Sequence, residues 1–255
     1  MPISPLKEEV SAQSVRIYHR SGKHNDNYDL STDPSGFESE HDAFYGAGVY
    51  AALYEKGMNT PEMVGRYGTL LIESKVLSIE GFLIFQPQIA KVVFGRDFSI
   101  QEQIARLFGK NLKSLQSDQN EAMFMVVREM QTLDELLAKE GPGGAAKGLR
   151  LSCPHIFGKA KGIIADDPQQ GPILVAHNKH NVVPVRYKVG EGGEWKIVNG
   201  GVAFYQKVRE FYAMKRKTFS AGENRNYPAD MKYDKPAWAE KKPAVTNQQK
   251  EPAMA

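Results

Sequence analysis

The order of local patterns along the chain limits its fold more than any single motif does. Residues 14–19 alternate polar and apolar side chains, the period of a half-buried strand. Residues 48–51 read as a short strand after a glycine turn, and 69–76 and 81–85 as a second, nearly continuous apolar strand pair. Helical periodicity then takes over. Ile100, Ile104, Leu107 and Phe108 follow a capping Ser99, and Met123, Val126, Val127, Met130, Leu133 and Leu137 mark a longer amphipathic helix. Gly141-Pro142-Gly143-Gly144 is expected to end that helix. Strand-like runs return at 162–165, 172–176, 182–187 and 195–198. Strands, then helices, then strands predict an α+β fold and argue against a regular βαβ array.

The 255 residues are enough for a sizeable core, with 41% hydrophobic and 25% charged positions. The polar N-terminus carries no apolar signal core, and no apolar run approaches the roughly 18 residues of a membrane span. No membrane partner is therefore expected. The single cysteine, Cys153, forbids an internal disulfide and suits a reducing cytoplasm. Residues 1–14 read as a flexible lead, 15–212 as the folded body and 213–255 as a basic, disordered tail. The tail holds nine Lys/Arg and five Asp/Glu, a net +4 against the chain's formal +3, so the body carries a net −1. It interleaves Lys215, Arg216, Lys217, Lys232, Lys235, Lys241 and Lys242 with Phe219, Tyr227, Tyr233 and Trp238. Basic residues among aromatics suit a nucleic-acid strand, and they equally suit a solvated extension.

Phosphate-binding glycine motifs are absent, and one cysteine excludes a cysteine-based zinc site. His177 and His180 are spaced as a metal pair could be, but they read as a surface turn, and no metal is expected. Cys153 and His155 could form a nucleophile pair; a structural cysteine is the plainer reading.

The informative stretch is residues 16–76. A strand ends in Tyr18-His19-Arg20-Ser21, and Tyr45-Gly46-Ala47-Gly48-Val49-Tyr50 follows, with Tyr50 31 residues after His19. Thr60-Pro61 opens a helix, and a strand comes after it. This order resembles the diphtheria-toxin-like and poly(ADP-ribose)-polymerase-like ADP-ribosyltransferases, whose first strand ends in Tyr-His-Gly-Thr/Ser and whose next carries Gly-x-Gly-Ile-Tyr. The resemblance spans about residues 15–190, and only these two motifs are specific. It implies a split antiparallel β-sheet core with helices inserted between two strand groups, and NAD+ as the substrate.

By that resemblance His19 would hold a hydroxyl of the adenosine ribose. Arg20 would hold the nicotinamide amide through its backbone, its side chain pointing away from the pocket, and Ser21 would add a hydroxyl. Gly46 and Gly48 would let the backbone turn and approach the ligand closely. Tyr50 would stack on the nicotinamide ring, and Tyr54 belongs to the same NAD+-binding set. Taken singly, His19 can also be a structural strand-end residue and Tyr50 a core residue. The family often places a glutamate at the head of a late strand. Here residues 165–171 supply none, and Gln170 takes that catalytic position, with Gln169, Asp167 and Asp166 as the next candidates. Pairing of the late strand beside the first would put its mouth near His19. The expected activity is mono-ADP-ribosyl transfer from NAD+ to a macromolecular acceptor, protein or nucleic acid, with the polar stretch 21–41 as a substrate contact. An NAD glycohydrolase toxin and a non-catalytic NAD- or nucleic-acid-binding module are the alternatives.

Overall fold

A computed structural model describes residues 15–33, 40–167, 171–177 and 182–199. The lead, the tail, Gln169, Gln170 and His180 lie outside the described residues. In chain order the elements are β1 (Val15–Ser21), β2 (Glu40–Ala43), β3 (Gly46–Ala52), α1 (Glu55–Met58), α2 (Pro61–Tyr67), β4 (Leu70–Val76) and β5 (Phe82–Ile84). Helices α3 (Pro87–Phe94), α4 (Ile100–Leu107), α5 (Leu112–Gln116), α6 (Glu121–Ser152) and α7 (Pro154–Lys159) follow. The chain returns to strands with β6 (Gly162–Asp167), β7 (Gly171–Ala176), β8 (Val182–Val189) and β9 (Lys196–Ile197). The fold is α+β, and its sheet is mostly antiparallel, in the order β5-β6-β7-β3-β1-β4-β8-β9 with β2 added on β3.

The sheet is not evenly joined. β1 pairs with β4 over seven residues, from Val15↔Val76 to Ser21↔Leu70, but with β3 only at Tyr18↔Ala52. On the other side of β3, β7 pairs over four residues from Val49↔Ala176 to Ala52↔Ile173. The sheet therefore consists of two well-paired groups joined at one residue pair. Where β1 has departed, β2 takes its place on β3: Val49 pairs with Ala176 of β7 and with Glu40 of β2, so β2 must lie on the β1-side edge.

Three sequence expectations are corrected. The runs at 69–76 and 81–85 are strands, yet they do not pair with each other. β4 lies between β1 and β8, and β5 runs parallel to β6 at the sheet's other edge. Local apolar character cannot distinguish these arrangements, because pairing partners are chosen by the whole chain. The glycine run does interrupt a helix, since Gly141 takes φ +71°, but helix resumes at once and continues to Ser152. Pro142 suits the first turn of that second segment, where its missing N–H is no loss. The stretch 21–41 also contains more order than a loop, because its last two residues begin β2.

Core side chains follow strand parity. The largest cluster takes Ile17, Leu70 and Ile72 from one strand group and Val49, Ala51, Leu174 and Ile164 from the other, with Ile89 and Ala90 of α3. A second cluster packs α4 to α7 on the opposite face of β5-β6-β7-β3, through Leu83, Ile163, Val175, Ile104, Leu133 and Leu149. Met130 and half-buried Met123 belong to it as apolar filler. Sequence-legible caps hold the helices. Thr60 Oγ accepts from Met63 N at 3.2 Å, and Ser99 forms a capping box with Glu102.

A third cap was not legible. Glu129, buried within α6, accepts from the backbone N–H groups of His155 (3.1 Å) and Ile156 (2.9 Å) at the start of α7. The carboxylate satisfies two donors that the helix cannot satisfy itself, and its charge suits the positive end of the helix. Glu129→Ala should destabilise the protein by about 1–3 kcal/mol, the cost of leaving buried donors unsatisfied. Urea unfolding of the two proteins measures it, and an unchanged midpoint would show that α7 needs no such cap.

Candidate functional site

The two motifs flank the place where β1 and β3 part. His19 is one residue beyond the joining pair on β1, and Tyr50 is two residues before it on β3. The parity of the strands sets them on opposite faces. Tyr18 and Ala52 share the small cluster with Met58 and Leu71, so Tyr50 has their face and His19 the other. His19 pairs in register with Ile72, a residue of the large core cluster, and is buried. Tyr50 instead packs half-buried against the helix-covered cluster. The gap thus brings the motifs together in sequence register, and the structure does not stack their side chains in one layer.

Arg20 is tied to helices away from the gap. It pairs with Leu71, so its side chain lies on the Tyr18 face, and it is buried. Its Nε donates to the Met58 carbonyl oxygen, Nη1 to the carbonyls of Thr69 (3.2 Å) and Gly68 (3.4 Å), and Nη2 to Asn59 Oδ1 (2.8 Å). The guanidinium gathers the end of α1, the end of α2 and the start of β4 around one strand residue. Burial pulls its pKa down from the ordinary value, while Glu191 and Glu55 pull it up. The large side chain is thus turned into the α1–α2 connection. Ser21, also buried, ends β1 opposite Leu70.

Both glycines have packing reasons of their own. Gly46 adopts φ +91°, and a Cβ there would fall 2.3 Å from the Phe157 ring. A Cβ at Gly48 would fall 2.4 Å from the Ala176 carbonyl oxygen, so its bareness lets β3 and β7 approach. Tyr54 precedes α1 in an extended conformation, accepts from Gly57 N at 3.1 Å through its carbonyl, and packs half-buried on the large cluster.

Around Tyr50 the structure builds a polar knot that the sequence did not single out. Tyr50 Oη donates to the Gly46 carbonyl oxygen (2.6 Å) and accepts from Tyr45 N (3.1 Å), closing the β2–β3 turn. The Tyr45 and Tyr50 rings lie 6.2 Å apart, and Tyr45 Oη reaches the Asp166 carbonyl at 3.5 Å. Burial, with Asp167, Tyr50 and Asp166 adding to it, raises the Tyr45 phenol well above its ordinary pKa. His177 closes the knot, with Nε2 3.0 Å from the Tyr45 carbonyl and Nδ1 3.1 Å from the Ala160 carbonyl. Its half-buried ring leans on Phe157 at 4.8 Å. Its two nitrogens are thus committed to backbone. Among the described residues no His/Cys/Asp/Glu group could hold a metal. The run of aromatics at Phe44 and Tyr45 beside a glycine is the one sequence signal that could have pointed to Tyr45.

The late strand differs from expectation in its neighbour. β7 lies beside β3, not β1, with Val175 level with Tyr50. Its head, Gly171-Pro172, runs past the other end of β3, where Leu53 N donates to the Pro172 carbonyl at 2.9 Å. The mouth of β7 is therefore set away from His19, because β3 stands between β7 and β1. Asp166 and Asp167 pair with Pro172 and Gly171, and they approach Tyr50 through Tyr45. Gln170 lies outside the described residues.

The polar stretch after β1 is fastened down in its first half. Leu30 is buried, Tyr187 Oη donates to Asp29 Oδ1 at 2.9 Å, and Asn199 N donates to Ser31 Oγ at 2.8 Å. Burial would raise the Asp29 carboxyl, but hydrogen bonds from Ser31 and Tyr187 hold it below its usual range.

Cys153 is a structural residue. It is fully buried and its Sγ donates to the Glu129 carbonyl at 3.3 Å. Burial, with the Glu129 charge, pushes its pKa up to about 12. His155 is directed elsewhere, with Nδ1 2.5 Å from Glu129 Oε1.

No described helix is long and apolar enough to cross a membrane. Neither family models, nor characterised proteins, nor solved structures give a match to this chain.

Two outcomes follow from these contacts. Iodoacetamide at pH 8 should leave Cys153 unmodified in the native protein and modify it in urea, because the thiolate is the reactive form; mass spectrometry reads the adduct, and native labelling would refute the buried-thiol assignment. Arg20→Lys should destabilise by about 2–3 kcal/mol, since an ammonium cannot reproduce the fork that serves four acceptors. A melting curve indistinguishable from the parent would show that the fork holds nothing together.

Proposed function

We propose that the chain is a mono-ADP-ribosyltransferase that takes ADP-ribose from NAD+ and passes it to a macromolecular acceptor. The observation that carries this reading is the parting of β1 and β3 at a single residue pair, with His19-Arg20-Ser21 beginning on one side of the gap and Gly48-Val49-Tyr50 ending on the other. A sheet divided in this way is the arrangement implied by the resemblance to the diphtheria-toxin-like and poly(ADP-ribose)-polymerase-like enzymes. The outward course of the Arg20 side chain supports it further, since a side chain larger than glycine is compatible with backbone recognition only if it turns away.

In this reading the backbone of Arg20 holds the nicotinamide amide and Tyr50 offers it an aromatic edge. His19 and Ser21 hold ribose hydroxyls, and Tyr54 flanks the dinucleotide. The bond between nicotinamide and the ribose C1′ breaks with its electron pair leaving on nicotinamide, which as a cation is a good leaving group. The acceptor then bonds to C1′ and gives up a proton. The protein's task is to hold both ends of NAD+ and stabilise positive charge on the sugar. Gln170 is the candidate third group, followed by Gln169, Asp167 and Asp166. Of these, Asp166 and Asp167 belong to the strand end that Tyr45 links to Tyr50. Transfer to protein or to nucleic acid is compatible with the same site.

The test uses the full chain with NAD+ labelled on its adenylate, incubated in a cell lysate and followed by protease or nuclease digestion. Label on a macromolecule, removed by one of the two digestions, is the expected result. Free nicotinamide without labelled macromolecule would instead make the chain an NAD glycohydrolase, and binding without turnover a non-catalytic module. In calorimetry, folded His19→Ala and Tyr50→Ala should each weaken NAD+ binding about tenfold or more, roughly 1.4 kcal/mol. Unchanged affinity in both would remove the site from this gap. Alanine at Gln170 should cost about 0.5–1.5 kcal/mol if it only contacts a hydroxyl, whereas a charge-stabilising carboxylate at Asp166 or Asp167 should cost on the order of 3 kcal/mol in rate.

A further inference from the structure

A cavity of about 590 Å³ opens where α3, α4 and the end of α7 meet the approach to β5. It belongs to the far edge of the sheet, three strands from β3, and includes none of the residues of the β1–β3 gap. Its volume falls in the range of small-molecule sites, roughly 300–1,000 Å³. Two features of its wall are chemically specific. The first is aromatic: Phe82, Phe94 and Phe98 line it, with the Phe94 and Phe98 rings 4.3 Å apart and tilted by 35°. The second is cationic: Arg106, Lys159 and Lys161 line it, all three exposed and none in an ion pair among the described residues.

The neighbouring charges behave differently. Lys91 pairs with Asp97 at 3.4 Å, Arg96 with Glu102 at 3.1 Å and Lys110 with Asp118 at 2.8 Å. Arg106, Lys159 and Lys161, which line the cavity, have no such partner among the described residues. Two of them are placed by the fold. Lys161 N donates to the Gly81 carbonyl at 2.9 Å, and its methylenes run past Gly81, where an added Cβ would come within 3.0 Å of Cδ. The Arg106 guanidinium stands 5.9 Å from the Phe94 ring centroid, and that of Arg96 4.5 Å from the Phe98 centroid. Glu80 is the one acidic residue in the lining, leaving a net positive site.

A planar ring to lie on the phenylalanines and a dianionic group to meet three cations describe a nucleotide. We propose that this cavity binds a nucleotide unit, with its base against Phe94 and Phe98 and its phosphate at Arg106, Lys159 and Lys161. Stacking on aromatic side chains is tolerant of base identity, and phosphate binding by clustered cations depends on salt. The unit could arrive as a free mononucleotide or as one residue of a single strand, and the two sources separate experimentally. The site is independent of the NAD+ site proposed above and does not rest on it.

The experiment is calorimetry on the full chain with AMP, with adenosine, with inorganic phosphate and with a short single-stranded oligonucleotide. AMP should bind at sub-millimolar concentration, and adenosine and phosphate alone more weakly, because each carries half of the recognised chemistry. The double variant Lys159→Glu and Lys161→Glu, both on exposed positions, should weaken AMP binding at least tenfold. In the His19→Ala background, which weakens any AMP held at the gap between β1 and β3, the double variant should still weaken AMP binding at least tenfold, which separates the two sites. An oligonucleotide that binds more tightly than AMP and is lost in the same double variant assigns the unit to a strand; AMP as the tighter ligand assigns it to a free nucleotide. No AMP or oligonucleotide binding at about 1 mM, or AMP binding unchanged by the double variant in the His19→Ala background, overturns the proposal.

Discussion

The structure depends on how β1 divides its two edges. Toward β4 it makes a full ladder, and toward β3 it makes one pair at Tyr18↔Ala52. Every backbone group that a ladder leaves must find another partner. On β3 that partner is β2, which continues the edge over Gly46 to Val49. The result is a sheet hinged in register at one point. Its two groups are still held as one body, because Ile17, Leu70 and Ile72 from one side bury against Val49, Ala51 and Leu174 from the other. Apolar burial supplies the cohesion that the missing ladder does not.

The β2–β3 turn shows how tightly the second side of the gap is set. Gly46 must take a positive φ beneath the Phe157 ring, and Gly48 must be bare against the Ala176 carbonyl. Tyr50 Oη then ties both ends of the turn, and His177 fixes the carbonyl between them. Each of these contacts is individually modest, about 1 kcal/mol for a neutral hydrogen bond. Their common effect is positional: they hold the strand that carries Tyr50 at one height relative to β7. A motif that reads as ligand-binding glycines is, in this structure, a packing requirement.

Much of the fold was legible in residues with strong local rules. Alternation identified β1, apolar runs identified β4, β6 and β7, and Thr60 and Ser99 announced their helices. What escaped were choices made between distant segments. Nothing in residues 81–85 says that β5 lies parallel to β6, and nothing in 172–176 says that β3 stands between β7 and β1. The position of Gln170 relative to His19 depended on that second choice. Glu129 was equally silent, since a carboxylate on a helix reads as a solvated face until α7 folds back onto it. The candidate site divides the same way. His19, Ser21 and Tyr50 were singled out by order and spacing, whereas Tyr45 and His177 meet the rest through contacts 121 and 132 residues apart in sequence.

Arg20 joins these levels. In the sequence it is a departure, a large charged residue where the resembled enzymes have glycine. In the structure its size is what is used. On the Tyr18 face of the sheet the guanidinium meets the carbonyls of Met58, Gly68 and Thr69 and the Asn59 side-chain oxygen. The Met58 and Gly68 carbonyls lie at the ends of short helices, where acceptors lack intrahelical partners and negative partial charge accumulates. A cation placed there offsets its own desolvation with several acceptors at once. Glycine at this position would remove the guanidinium's bonds to those helix ends, so the connection from Glu55 to Gly68 and β1 are coupled through one side chain.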